Sequence, residues 1–141
     1  MGRLSQFIDY PTDIDMQAAY RVLKYLKGCS AVGLLFLADN DLTLTGFSDA
    51  DWATCAEFHR SITGHCFYLG KSLISWKSKK QSTVARSSSE AEYRVLALAT
   101  CQAQWLSYIM KDIGLPITKP ITLFCDNRFA IHIATNPIFH E

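Results

Sequence analysis

Residues 42–52 read Leu42-Thr43-Leu44-Thr45-Gly46-Phe47-Ser48-Asp49-Ala50-Asp51-Trp52. The apolar/polar alternation from Leu42 to Thr45 is the pattern of a half-buried strand. Two acids, Asp49 and Asp51, stand where that strand finishes. Side chains two apart on a strand share a side, so the strand ends by presenting both carboxylates together. The rest of the chain is read by asking what joins them.

A chain of 141 residues with 49% hydrophobic content fits a single domain with a proper core. Its net charge of +1 advertises no global attraction to nucleic acid. One local basic run does stand out, Lys77-Ser78-Lys79-Lys80, with Arg86 behind it. The five cysteines are odd in number, widely spaced and without a CxxC pair, which argues against zinc or a disulfide framework and for reduced thiols in an intracellular protein. No apolar run approaches the ~18 residues of a membrane span, so no membrane partner is expected. The first ten residues lack the apolar core of a secretory signal.

Taken in order, Thr12 or Asp13 caps a helix whose apolar residues Ala18, Ala19, Val22, Leu23 and Leu26 recur at helical spacing until Gly28. Residues 32–38 form a short apolar run expected as a strand, hairpinned through Asp39-Asn40-Asp41 to the opening strand. Residues 65–69 and 73–76 flank Gly70-Lys71-Ser72 as a second hairpin. The chain then turns polar over 77–82, and 83–85 is expected to add strand residues. Ser87-Ser88-Ser89-Glu90-Ala91-Glu92 is a helix start with a Ser cap and early acids, and Gly114 stops that helix after Ile113. Leu96, Leu98, Ala99, Trp105, Leu106, Ile109 and Met110 make it apolar on most sides, so it is expected to be largely buried. A compact strand over 121–125 and a short helix over 128–134 follow. A crossover helix between strands predicts an α/β sheet with some parallel pairing.

Functional groups in such sheets collect at the carboxyl ends of strands. Asp126 ends the 121–125 strand as Asp49 ends the opening one, and parallel neighbours would set the two side by side. Taken alone, Asp126-Asn127 also reads as a turn and helix cap. Glu92 heads the stripe Leu96, Ala99, Ala103, Leu106 and Met110, an apolar face that belongs on the sheet. A carboxylate there costs several kcal/mol unless paired or metal-bound. The bland alternative is a capping box between Ser89 and Glu92. Glu90, about 200° around the helix from Glu92, is expected in solvent. Three converging carboxylates repel one another unless a cation lies between them, and an all-oxygen set selects Mg²⁺ or Mn²⁺. Paired hard cations suit phosphodiester cleavage.

The chain at this point resembles a family. Phe47-Ser48-Asp49-Ala50-Asp51-Trp52-Ala53, Arg60-Ser61-Ile62-Thr63-Gly64, Ile74-Ser75-Trp76-Lys77-Ser78-Lys79-Lys80-Gln81, Ser87-Ser88-Ser89-Glu90-Ala91-Glu92-Tyr93, Cys125-Asp126-Asn127 and Asn136-Pro137 resemble, in order, the RNase H domain of copia-type retrotransposon Pol polyproteins. Residues 20–28 resemble the stretch that joins reverse transcriptase to RNase H in those polyproteins. The resemblance implies a connection segment (helix plus strand) over 1–41 and an RNase H-like domain over 42–141, a ribonuclease H-like mixed sheet with helices packed on it. It further implies cleavage of the RNA strand of an RNA–DNA hybrid with two Mg²⁺ (or Mn²⁺) ions, and a reverse transcriptase neighbour in the same polyprotein. The family's acids map onto Asp49, Glu92 and Asp126, catalytic and metal-binding. Its substrate contacts lie near Ser48, Trp76, Lys77, Lys79, Lys80, Ser88 and Asn127. In the family a further Asp follows Asn-Pro in a His-Ile-Asp pattern. Here Phe139-His140-Glu141 ends the chain and does not match it. A domain incomplete at its C-terminus, its last strand and helix missing, is therefore expected. The alternative function is a catalytically silent remnant with the same fold, at most binding nucleic acid. A Ser-His-Asp hydrolase finds no G-x-S-x-G elbow, and the four histidines show no metal spacing.

Overall fold

The computed structural model describes residues 4–54 and 58–136, the side chain of Gln6 excepted. It divides into two compact units, Met1–Leu35 and Phe36–Glu141. The Asn136-Pro137 motif beyond Asn136, together with His140, Glu141 and Cys55, lies outside the described residues.

In the first unit a short 3₁₀ turn, Leu4–Phe7, precedes helix α1, Asp13–Gly28. Thr12 is the cap. Its hydroxyl accepts from Asp15 N while Asp15 Oδ2 accepts from Thr12 N at 3.0 Å, so two otherwise orphaned amides are satisfied reciprocally. No residue of α1 is buried within this structure.

In the second unit four strands, β1 (Leu44–Asp51), β2 (Ile62–Leu69), β3 (Ser72–Lys80) and β4 (Thr122–Cys125), lie in the order β3-β2-β1-β4. The β1/β2 and β2/β3 pairs are antiparallel and β1/β4 is parallel. Helix α2, Ser88–Asp112, provides the crossover to β4, and α3, Arg128–Thr135, packs against α2 and β4. This mixed α/β sheet with helices on it is the arrangement expected of a ribonuclease H-like fold.

Three local expectations are corrected. Residues 32–38 form no strand: Val32 and Leu35 are 81% and 70% exposed. A hairpin with β1 would need a free edge, and both edges of β1 are occupied, by β2 and β4. Asn40 in the expected turn has a different task. Its side chain donates to Leu69 O at 2.6 Å and accepts from Lys71 N at 3.0 Å, clasping the β2–β3 turn. Second, the strand expected over 73–76 continues through the polar stretch to Lys80, while 83–85 adds no strand. Third, α2 is buried along one stripe only, Ala91, Glu92, Val95, Ala99, Ala103, Leu106 and Met110, and Leu98, Trp105 and Tyr108 are about half exposed. A helix lying on one face of a sheet can cover only one side of itself.

The core is Leu44, Phe67, Ala99, Ala103 and Leu106, with Ile74, Ile117, Ile121 and Leu123 packed around it. Leu44, Gly46 and Ser48 alternate inward along β1. A Cβ at Gly46 would lie 2.6 Å from Phe67 Cε1 and 2.7 Å from Leu123 Cδ1. Glycine at this position leaves the space that the Phe67 ring fills against the strand. Gly46→Ala is therefore expected to destabilise by about 1–3 kcal/mol through overpacking. Urea denaturation checks it, and an unchanged midpoint would show that the ring can move aside.

Candidate active site

The first two carboxylates are placed by strand pairing. In the parallel β1/β4 register Ser48 lies opposite Cys125, so the residues that follow, Asp49 and Asp126, leave neighbouring strand ends together. Both are exposed. Asp51, two residues on along β1, is exposed as well.

The third carboxylate comes from α2 and is 5% exposed. The alternative for Glu92, a capping box with Ser89, does not form. Ser87 caps the helix, its hydroxyl accepting from Glu90 N at 3.1 Å. Glu90 turns back to accept from Arg86 N at 2.7 Å and pairs with Arg94. With the cap at Ser87, two residues before Ser89, Glu92 points at the sheet. Its Oε1 accepts from Ala50 N at 2.9 Å, and its Oε2 stands 4.0 Å from Cys125 Sγ. Ligand atoms of Glu92, Cys125 and Asp126 all lie within 4.8 Å of one another.

The electrostatics follow from this crowding. Burial raises the Glu92 carboxyl above the usual range; the Ala50 N–H opposes this, and the charges of Asp49, Asp126 and Asp51 push it up further. Burial also raises the Cys125 thiol, and the nearby Glu92 and Asp126 charges add to it. An open pocket of about 650 Å³ over the sheet is lined by Phe47, Asp49, Lys77, Cys125 and Asp126 among others.

The other sequence-predicted residues are distributed differently. Ser48 is 6% exposed and its hydroxyl donates to Phe124 O at 3.3 Å, a tie between strands on the buried side of β1. Asn127 caps α3, with Oδ1 accepting from Ala130 N at 3.0 Å. Ser88 opens α2 and is exposed. Trp76, 62% exposed, sits with Lys77, Lys79 and Lys80 on β3, which β2 separates from the acids of β1.

Several residues important to the geometry drew no role from the sequence. Trp52 Nε1 donates to Ala85 O at 3.1 Å, tying the chain after β1 to the approach to α2. The fully buried Ser61 accepts from Ala53 N at 3.2 Å, and Ala53 holds a positive φ of 53°. Gln81 Nε2 donates to Ala91 O at 3.2 Å, clamping the first turn of α2 beside Glu92. Cys125 stands among the acids, not in an inert core. Only its adjacency to Asp126 hinted at this.

The whole chain aligns at 42% identity over 141 residues with the retrovirus-related Pol polyprotein from transposon RE1 of Arabidopsis thaliana, covering all of this chain and 10% of that protein. The chain belongs to the retrovirus-related Pol polyproteins of copia-type transposons. The corresponding polyprotein from transposon TNT 1-94 of Nicotiana tabacum is 33% identical over 140 residues, 99% of this chain and 10% of that one. A secreted RxLR effector protein 161 of Plasmopara viticola is 47% identical over 107 residues, 76% of this chain and 75% of that protein. This Pol segment thus spans about a tenth of the length of the polyproteins it matches. No protein-family model and no solved structure matches it. No helix among its described residues is long and apolar enough to cross a membrane, and its described cysteines, Cys29, Cys66, Cys101 and Cys125, are free thiols.

Proposed function

We propose that this Pol segment is a ribonuclease H-type endonuclease, working inside the cell beside a reverse transcriptase of the same polyprotein and cutting the RNA strand of RNA–DNA hybrids. The observation that carries the reading is Glu92, a buried carboxylate aimed at the end of β1 and set against Asp126 and the charge of Asp49. Without a counter-charge that arrangement is unfavourable, and a hard divalent cation is the group that relieves it. Glu92 and Asp126, whose ligand atoms lie within 4.8 Å of each other beside Cys125, are the oxygen donors that would hold Mg²⁺ or Mn²⁺, with Asp49 as the third donor.

Bound there, a pair of such ions would supply an activated water and neutralise the charge on the leaving oxygen. The chain's own part is positional. The Ala50 N–H fixes the Glu92 carboxylate, and Gln81 and Trp52 hold the start of α2 against the sheet. Asp49 and Asp126 stay exposed, where substrate arrives. Lys77, Lys79 and Lys80 with Trp76 would grip the hybrid's backbone, and such contacts weaken with added salt. A hybrid approaching A-form is read by shape and 2′-OH, not by sequence.

The test is cleavage of an end-labelled RNA–DNA hybrid with Mg²⁺ or Mn²⁺. Metal-dependent cutting of the RNA strand is expected, falling by about 10²–10³ in Asp49→Asn, as loss of a charge-stabilising group in a preorganised site does. No cutting by a protein shown by circular dichroism to be folded would replace this reading with the alternative, a silent remnant of the same fold.

A further inference from the structure

The acid cluster contains a donor that the nuclease reading does not use, the thiol of Cys125. Ser48, buried on the α2 side of β1, lies opposite Cys125 in the parallel register, so Cys125 stands on that side too. Its Sγ is 4.0 Å from Glu92 Oε2, and ligand atoms of Glu92, Cys125 and Asp126 lie within 4.8 Å of one another. No other such group of three occurs among the described residues. Cys66, opposite Phe47, stands on the far side of the sheet, and Cys101 is exposed on α2.

The buried carboxylate in this group is only half satisfied. Glu92 is 5% exposed, and its Oε1 accepts from Ala50 N at 2.9 Å. Its Oε2 receives no N–H or O–H among the described residues, only the thiol at 4.0 Å. A thiol is a weak donor, so a buried carboxylate oxygen is left short of a partner just where it turns to Cys125. A positive group there relieves it.

Two carboxylates and a thiol do not select the same ion as three carboxylates. Mg²⁺ takes oxygen and passes over sulfur, whereas Zn²⁺ and its heavier congener Cd²⁺ take thiolate and carboxylate together. Zinc sites with three protein ligands keep a fourth position open, and bonds of about 2.0–2.3 Å set their ligand atoms about 3.5 Å apart. Closing from 4.8 Å takes a movement of roughly 1 Å. Asp126 is exposed and can supply it, while the Ala50 N–H holds Glu92 and β4 holds Cys125. The cysteine spacing argues against zinc because it shows no paired thiols. Here the partners of one thiol are carboxylates, brought by α2 and by the end of β4.

We propose that Cys125, Glu92 and Asp126 form a site for a thiophilic divalent cation of the Zn²⁺ class, which displaces Mg²⁺ from the shared carboxylates and switches the nuclease off. On binding, a metal–sulfur bond replaces the S–H bond and the proton passes to buffer. The switching rests on the nuclease reading; the binding does not.

The test titrates metal-stripped wild-type protein with Cd²⁺ and follows the ultraviolet thiolate-to-metal charge-transfer band. A saturable band is expected, absent in Cys125→Ser and kept in Cys66→Ser. In Glu92→Gln the Cd²⁺ needed for half-saturation should rise about tenfold or more, since losing even a ligand's outer partner costs about 10–100-fold in affinity. Added Mg²⁺ should raise the same midpoint in the wild type. Cd²⁺ should also shield Cys125 of the wild type from iodoacetamide while Cys101 stays reactive, a readout that needs no variant. The proposal is overturned by no saturable band, by a band that survives Cys125→Ser, by alkylation of Cys125 undiminished by Cd²⁺, or by a midpoint indifferent to Mg²⁺. A band that obeys the variants in a protein that cuts no hybrid leaves the metal site standing and removes the nuclease. Cutting in Mg²⁺ with no band does the reverse.

Discussion

Glu92→Gln is expected to abolish hybrid cleavage and, in metal-free buffer at neutral pH, to raise the melting temperature. Glutamine keeps an oxygen to accept from Ala50 N, so the contact at 2.9 Å survives while the charge goes. The sign follows from the direction of the shift. Burial and the charges of Asp49, Asp126 and Asp51 raise the Glu92 carboxyl above its ordinary 4.5. The folded state therefore holds this proton more tightly than the unfolded chain does. Below the unfolded value both states are protonated and no penalty exists. As pH climbs from there through the folded value, the native state loses stability relative to the unfolded one. The wild type should show that loss and Glu92→Gln should not. Removing a destabilising group on the order of 1 kcal/mol moves a melting temperature by about 2–8 °C in domains of this size class. Adding Mg²⁺ should then raise the melting temperature of the wild type, by mass action on the folded state, and leave the variant nearly unmoved. Calorimetry from pH 4 to 8, with and without Mg²⁺, reads all of this. A variant that melts below the wild type at neutral pH without metal would show that the carboxylate is net stabilising and the cluster is no cation site.

Phe67→Ala carries the largest expected cost to stability. The ring is 0% exposed, packs over Gly46 and stands in the central cluster with Leu44, Ala99, Ala103 and Leu106. Truncating a buried Phe removes its transfer free energy and leaves a cavity, about 3–5 kcal/mol together. Against a total stability of roughly 5–15 kcal/mol, most of the margin disappears. With an m-value of about 1–3 kcal/mol/M, the urea midpoint should fall by roughly 2 M, or the cooperative transition should vanish. Phe124→Ala is the control. Its ring stacks on Phe47 at 5.1 Å between centroids but remains 51% exposed, so its loss should cost far less. Equal losses for the two would mean that the outer aromatic face is as much a core as the inner one.

Sequence and structure agree where local chemistry is self-sufficient. The strand signalled by the alternation from Leu42 to Thr45, the Ser-rich start of α2 and the stop at Gly114, which adopts φ +81°, are each dictated within a few residues. The direction of Glu92 was also legible, because helical spacing puts it on the same stripe as Ala99, Ala103 and Leu106 whatever the rest of the chain does. Residues 32–38 misled because an apolar run records the wish to be buried and not the availability of an edge, and β4 (Thr122–Cys125), far along the chain, had taken it. Ser48 misled in the opposite way: a hydroxyl beside a candidate acid looked available, but strand alternation turns it inward to Phe124 O.

The sequence by itself therefore determined the α/β class, the strand that ends in Asp49, the helix that begins near Glu92 and the acid that follows β4. These depend on periodicity and capping, which act over a handful of residues. Only the tertiary structure decided that β1 and β4 are parallel neighbours, that Ser87 takes the cap and leaves Glu92 to Ala50 N, that Cys125 joins the acids, and that the His65 ring nitrogens and Gln81 Oε1 are buried without a partner among the described residues. Those are outcomes of competition among distant segments for the same edges, amides and space, and no local pattern records who wins.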